Sequence, residues 1–319
     1  MWRLIIGLAV SVVALWLAFR NLDWQSFGQA LGQSNPLGLI AAAAFLLASV
    51  PLRGLRWRIF LAPVKEVSLK VTNSGTLLGL FANIVLPLRL GELVRSYYVA
   101  RQTASPMSQV LGSILVERAV DYMSFLFLLA LLPIVGVLPS QFRVPLMWAL
   151  VLGSVVALVT LWLALRSQGP PRLRGRLNVI LANLQLAFTS LRHARHTPTI
   201  VLTSVGIWLL YLLSAFITLR AMGLQLSLAD AYLLLVVTTL VLSVPITPGS
   251  IGTYHFAAIM VLVNIMSVEQ SQAQAAAVAL HAVGVIPYTV IGAVVYFRSH
   301  LRLREVRESQ RDSYSEASS

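Results

Sequence analysis

The chain holds no cysteine, which excludes disulfide frameworks, thiol nucleophiles and cysteine-ligated metals. Charge is nearly as scarce. Only 11% of the 319 residues are Asp, Glu, Lys or Arg, where a soluble domain carries roughly a quarter. That is too few to cover a water-facing surface. A glycine-rich phosphate loop, an HExxH zinc motif and a GxSxG nucleophile elbow are also missing. The sequence therefore gives no support for nucleotide hydrolysis, no catalytic residue and no metal or other cofactor.

What fills the chain instead is apolar sequence in long runs. Hydrophobic residues make up 58% of it, and the mean hydropathy is +0.81. Trp2–Phe19, 36–50, 144–165, 200–219 and 273–297 are each apolar or nearly so. Most reach the roughly 17–25 residues needed to cross hydrocarbon. Trp2–Phe19 is too long for the apolar region of a signal peptide and lacks a small-residue cleavage site, so it reads as a retained first span. The net charge of +13 does not indicate nucleic acid, because the arginines gather between the spans, where the positive-inside rule places them.

The charge distribution sets a topology. The stretches 166–195 and 298–311 are arginine-rich, as is 53–70, and all are expected on the cytoplasmic side. Segment 107–137 then starts inside, so 71–106 must enter and leave on that face. Likewise 229–268 must enter and leave on the outer face. The expected architecture is an all-α polytopic membrane protein with about six full spans and two re-entrant or broken helical hairpins, both termini cytoplasmic. A protein of about eight full spans is the rival. Residues 1–297 form one transmembrane domain and 298–319 a polar cytoplasmic tail, expected to be disordered. Between 172 and 195, Leu173, Leu177, Ile180, Leu181, Leu184, Phe188 and Leu191 recur at helical spacing among Arg172, Arg174, Arg176, Arg192 and Arg195. This predicts an interfacial amphipathic helix on an anionic leaflet.

Ionisable groups inside hydrocarbon are costly unless paired or hydrated. Glu117, Arg118 and Asp121 interrupt an apolar helix, with Glu117 and Asp121 four residues apart on one face. Arg53 and Arg56 close the second span, and Arg89, Glu92 and Arg95 follow Pro87. Arginine is in excess over carboxylate in this set, which suits an anionic guest such as a lipid phosphate. The competing reading is a set of snorkelling or helix-tying charges. Further on, Pro245, Pro248, Gly249 and Gly252 break a helix at membrane depth, with Thr247, Ser250 and Thr253 supplying hydroxyls. Freed backbone there must be satisfied by protein or water; it can also present N–H groups to an anion. A simple kink, or a loop between two full spans, would produce the same composition. His255 and His281 are candidates for proton transfer or anion binding, against a structural role as satisfied histidines.

Four motifs in order carry a resemblance: Arg53-Gly-Leu-Arg56-Trp57; Pro87-Leu-Arg89-Leu-Gly91-Glu92-Leu-Val-Arg95; Glu117-Arg118-Ala-Val-Asp121; and Pro245-Ile-Thr-Pro248-Gly249-Ser-Ile-Gly252-Thr253. Together, over about residues 4–297, they resemble the flippase-like membrane family named for the transmembrane region of lysylphosphatidylglycerol synthase. In that family the membrane region is associated with moving an aminoacylated phospholipid between leaflets, while a separate soluble domain performs aminoacyl transfer. The chain is expected to be a stand-alone member without that domain. Stand-alone relatives are linked to other lipids, including hopanoids and polyprenyl-linked sugars. One departure is His255, where many relatives carry an acidic residue.

The resemblance implies a multi-pass transporter of the cell inner membrane. It would translocate an anionic phospholipid or a polyprenyl- or glycolipid-type lipid, and would not be an enzyme. Arg53, Arg56, Arg89, Glu92, Arg95, Glu117, Arg118 and Asp121 would bind the headgroup. Pro87, Gly91, Pro245, Pro248, Gly249, Gly252, Thr253 and His255 would form the gating breaks. The alternatives are an intramembrane lipid-modifying enzyme, or a scaffold that partners a cytosolic synthase.

Overall fold

The computed structural model describes residues 2–86, 90–136, 196–243 and 247–299, with isolated positions at 144, 145, 147, 148 and 153. Apart from those positions, the expected span at 144–165 lies outside the described residues, as do the expected amphipathic helix at 172–195, the tail beyond Ser299, and Pro87, Arg89 and Pro245.

All the secondary structure among the described residues is helical. The helices are α1 (Trp2–Phe19), α2 (Trp24–Gly32), α3 (Pro36–Leu61), α4 (Leu69–Val85), α5 (Gly91–Thr103), α6 (Met107–Val135), α7 (Thr197–Ala221), α8 (Leu228–Ser243), α9 (Thr253–Asn264) and α10 (Gln270–Arg298). Local chemistry sets their starts. Asp23 caps α2, its Oδ1 accepting the Gln25 N–H at 3.0 Å, and α1 meets α2 at an 89° bend. Asn35 caps α3, with Pro36 in the first turn, where the missing N–H costs nothing. Glu269 caps α10 by accepting the Ser271 and Gln272 amides at 2.9 Å each, and these bonds hold its carboxyl below the usual carboxylate range.

Four helices, α3, α6, α7 and α10, are long and apolar enough to cross a membrane, and the bent pair α1–α2 would make a fifth. Large apolar side chains such as Val12, Leu37, Ile40, Phe127, Leu202 and Phe297 stand exposed on these elements. A water-soluble protein would not leave so much apolar surface open; hydrocarbon accepts it.

Between the long helices sit two pairs of shorter ones. The order long, short, short, long occurs twice, with lengths of 26, 17, 13 and 29 residues in α3 to α6 and 25, 16, 12 and 29 in α7 to α10. At ~1.5 Å per residue, α5 and α9 are too short to cross ~30 Å of hydrocarbon, and α4 and α8 fall short as well. The repeat does not show as repeated residue identities, but its punctuation does: Pro87 and Gly91 flank the first break with the spacing of Pro245 and Gly249 at the second.

Packing follows membrane rules, in which close approach of small residues replaces the hydrophobic effect. A Cβ on Gly91 would lie 2.1 Å from the Gly79 carbonyl oxygen, so α4 and α5 touch backbone to backbone. Along α4, Gly75 packs against Trp57 and Val99, and Gly79 against Arg95. Across the helix, Gly292 of α10 packs against Phe81. The second break is a tight reversal with positive φ at Gly249, Ser250 and Gly252. It is stapled by the 3.0 Å bond between the Thr247 and Thr253 hydroxyls and by the Thr253 hydroxyl donating to the Ser250 carbonyl at 3.3 Å. Its tip rests on the end of α4, where a Cβ at Gly249 would lie 3.6 Å from the Ile84 carbonyl oxygen.

Two apolar cores result. One surrounds Trp57, Phe60 and Leu78 with Met107, Val110, Ile114 and Val116 of α6. The other gathers α8, α9 and the alanine-rich start of α10 around Phe125, Leu129 and Leu132 of the same helix. Glu117, Arg118 and Asp121 occupy the stretch of α6 between them.

Gly252→Ala tests the second break. Its φ of +90° and the 2.5 Å approach of a Cβ to the Ser11 carbonyl oxygen predict a loss of about 1–3 kcal/mol. Gly28→Ala in α2, with open space at its Cβ, should be neutral or stabilising by up to about 1 kcal/mol. Thermal unfolding of both variants in one detergent gives the comparison.

Candidate functional site

Helix α6 carries the site because its middle turns face the C-terminal end of α3 and the start of α5. Arg56 is fully buried. Its Nη2 donates to Asp121 Oδ1 and lies 3.7 Å from Glu117 Oε1, while its Nη1 donates to the Ser204 hydroxyl of α7 at 2.9 Å. Arg95 of α5, also buried, donates from Nη2 to Glu117 Oε2 at 2.5 Å. Its guanidinium carbon sits 3.6 Å from the Trp57 ring centroid, a cation–π contact, and the Trp57 indole N–H donates to Ser113 at 3.0 Å. Glu117 thus bridges two guanidiniums with no exposure of its own. Partners on both sides make such a buried carboxylate tolerable.

The outer members are arranged differently. Arg53 donates from Nε to the Tyr211 hydroxyl at 2.7 Å, and its Nη1 is 3.7 Å from Asp121 Oδ2. Arg118 lies 3.5 Å from the same oxygen and 3.8 Å from Glu92 Oε1. Glu92, in the first turn of α5, sits where the helix dipole favours a carboxylate. Among the described residues, four guanidiniums meet three carboxylates, an excess of one positive charge.

A cavity of about 430 Å³ opens beside this network, within the range of ~300–1,000 Å³ usual for ligand sites. Arg53, Arg118 and Asp121 line one part of it; Tyr254, His281 and Thr238 line another; Leu80, Ile84, Leu235, Leu242 and Leu280 contribute apolar wall. Gly249 and Ser250 of the second break and Asn83 at the end of α4 reach it as well. Of the eight residues expected as headgroup ligands, Arg89 lies outside the described residues, and the geometry divides the other seven. Arg53, Arg118 and Asp121 face the cavity. Arg56, Arg95 and Glu117 lie behind it, absorbed in protein contacts. Glu92 reaches it through Arg118.

Of the expected gating residues, Gly91 starts α5, and Gly252 and Thr253 start α9; of Pro248 only the backbone is described, as part of the 3₁₀ turn Pro248–Ser250. His255 is buried and does not line the cavity; its Nδ1 accepts the Gly252 N–H at 3.5 Å. It stacks face to face on His281, centroids 4.6 Å apart, and His281 does line it. Sequence reasoning missed Ser204, Trp208, Tyr211, Tyr254 and Tyr288. The available signal was Trp208 and Tyr211, three apart on one face of the largely apolar α7, and Tyr254 beside His255.

Long apolar helices, an apolar exterior and a charged network sealed between the cores define a multi-pass helical membrane protein. Residues 4–292 match the family described as the lysylphosphatidylglycerol synthase TM region, and the chain belongs to that family. Among curated proteins it is similar to Glycosyltransferase AglD of Haloferax volcanii, 26% identical over 91% of this chain and 53% of that protein, so it spans about half the length of that relative. It is also similar to two UPF0104 membrane proteins. That of Methanocaldococcus jannaschii is 20% identical over 68% of this chain and 94% of the relative; that of Methanothermobacter thermautotrophicus is 23% identical over 77% and 80%.

Glu117→Gln leaves Arg95 without its carboxylate partner and Arg56 with Asp121 alone. The expected cost is about 3–5 kcal/mol of stability. Glu92→Gln, at a pair roughly one-third exposed, should cost about 1 kcal/mol or less. Thermal midpoints of the two variants against the parent protein check the ordering.

Proposed function

We propose that this protein is a lipid transporter of the cell inner membrane that binds an anionic phospholipid or a polyprenyl- or glycolipid-type lipid and moves it between leaflets. The observation that carries the reading is the cavity's two-sided chemistry: guanidiniums of Arg53 and Arg118 at one part and aliphatic wall elsewhere, inside a bundle whose outer surface is apolar. The family match supports it, and the glycosyltransferase name of one relative is consistent with a lipid-related role.

In this reading Arg53 and Arg118 take the phosphate, and Asp121 holds them apart and oriented. Arg56, Arg95 and Glu117 act as positioning residues. Residues 1–297 form one transport domain of six full spans and two hairpins, with both termini in the cytoplasm. Charge places the first hairpin on the inner face and the second on the outer, an inverted pairing. The contact of the second break with the end of α4, Gly249 against Ile84, suits alternate opening of the cavity from either side. The protein needs no catalytic group for this, and its substrate partner is the membrane lipid.

Reconstitution into liposomes tests the proposal. Labelled anionic lipid in the inner leaflet should become accessible to an impermeant reductant faster than in empty vesicles. Arg53→Ala and Arg118→Ala should each slow this by roughly tenfold or more, since each removes a charge-assisted contact. No acceleration across a panel of anionic lipids would sink the transporter reading. A new lipid product on mass spectrometry would identify an intramembrane enzyme instead.

A further inference from the structure

One titratable side chain lining the cavity stands outside the ion-pair network. His281 makes no hydrogen bond among the described residues, and its Nδ1 is buried. A neutral imidazole without partners keeps, in either tautomer, one basic nitrogen with a free lone pair. Buried polar groups are otherwise nearly always paired. An unpaired base in the wall of a cavity therefore points to something that arrives there.

His255 limits what that base can take. Its ring lies face to face with His281, centroids 4.6 Å apart and planes 11° from parallel. Its own Nδ1 accepts the Gly252 N–H at 3.5 Å, and while that bond holds the nitrogen has no room for a proton. Two cations at this ring separation would repel strongly. The pair therefore accepts one proton, and accepts it on His281.

The other titratable or charged side chains lining the cavity are Tyr254 of α9, Tyr288 of α10, Tyr211 of α7, Tyr122, Arg118 and Asp121 of α6, and Arg53 of α3; α4 and α8 bring none. From α1, the ring of Phe19 faces His255. Among the described residues no carboxylate lies within ion-pair distance of either imidazole. The neighbouring network already has an excess of one positive charge, which opposes a proton on His281 while the cavity is empty. An anionic headgroup between Arg53 and Arg118 cancels that excess. The effect is mutual: lipid and proton each favour the binding of the other, by the same factor.

We propose that His281 is a proton-binding site that loads together with the anionic headgroup, so that each lipid crosses with one proton. A singly charged lipid and its proton then travel as a neutral pair, which avoids carrying net charge through hydrocarbon depth. The empty protein returns with His281 neutral, because the arginine excess again opposes protonation. The proposal rests on the lipid-transport reading and gives that transport a coupling ion.

The test uses the full chain in liposomes holding a trace of labelled phosphatidylglycerol, with the interior one pH unit below or above the exterior and empty vesicles as the baseline. A brief pulse of impermeant reductant reads the final share in the outer leaflet. With one proton per lipid, an acid interior should drive the label outward to a leaflet ratio of about tenfold, and an alkaline interior should draw it inward by the same factor. A potassium diffusion potential should leave the distribution unchanged, since the pair carries no net charge. His281→Gln and a second neutral replacement, His281→Asn, checked for folding by their thermal midpoints, should lose the response to the pH gradient. An even distribution under both gradients in an active parent protein overturns proton coupling and leaves lipid transport standing. Redistribution by the potential overturns the one-proton stoichiometry. A gradient response that survives in a folded variant, or a folded variant that no longer moves the lipid at all, overturns the assignment to His281. Failure of the parent protein to move the lipid under any condition overturns the transport reading and this proposal with it.

Discussion

The buried carboxylate of Glu117, shared by Arg56 and Arg95, is the interaction on which the rest of the arrangement depends. It ties three separate helices, α3, α5 and α6, at a depth where water cannot substitute for a missing partner. A carboxylate without partners in such a place would shed its charge, and a lone guanidinium would drag in water. With Trp57 stacked on Arg95 and Ser204 bonded to Arg56, the charges instead define where α5 and α7 sit against α3. A buried ion network of this kind contributes less net stability than an apolar packing of the same volume could. What it fixes is register, and register is what places Arg53, Arg118 and Asp121 at the cavity.

The same network explains why α6 can belong to two cores. Its first third packs with Trp57 and Phe60, its last third with the alanine face of α10. The charged turns between them are the one part of the helix that neither apolar cluster would accept. The cavity forms at that junction because both clusters stop there, and Asn83 at the end of α4 with Gly249 and Ser250 of the second break completes its wall. Structural ties and candidate ligands are therefore neighbours on one helix, separated by a single turn.

Much of this was legible in the chain. Spans announce themselves by length and apolarity. Charges in a hydrocarbon-length run mark a place where something must pair with them. The two breaks were legible too, since proline and glycine at membrane depth have few other uses. What composition cannot show is which charge finds which partner. Arg53 and Arg56 are three residues apart, yet one meets Tyr211 at the cavity and the other is sealed against Glu117 and Asp121. That division is decided by α7, far away in sequence, and Tyr211, Trp208 and Ser204 look like ordinary members of a span until they are placed. The two hairpins were legible as well, but residue identities do not repeat between the halves, because a backbone pattern can persist after its residues have diverged.

Helix α4 carries one last consequence. Many of its contacts to α3, α5 and α10 run over Gly75, Gly79 and the facing Gly91 and Gly292, beside the fully buried Leu78. The clearances there are smaller than one methyl group: a Cβ on Gly91 would lie 2.1 Å from its nearest neighbour, and one on Gly292 2.5 Å. A single added carbon would push α4 off the bundle. The end of α4 is also what the second break rests against at Ile84, so a spacing set by the smallest side chain is handed on to the wall of the cavity.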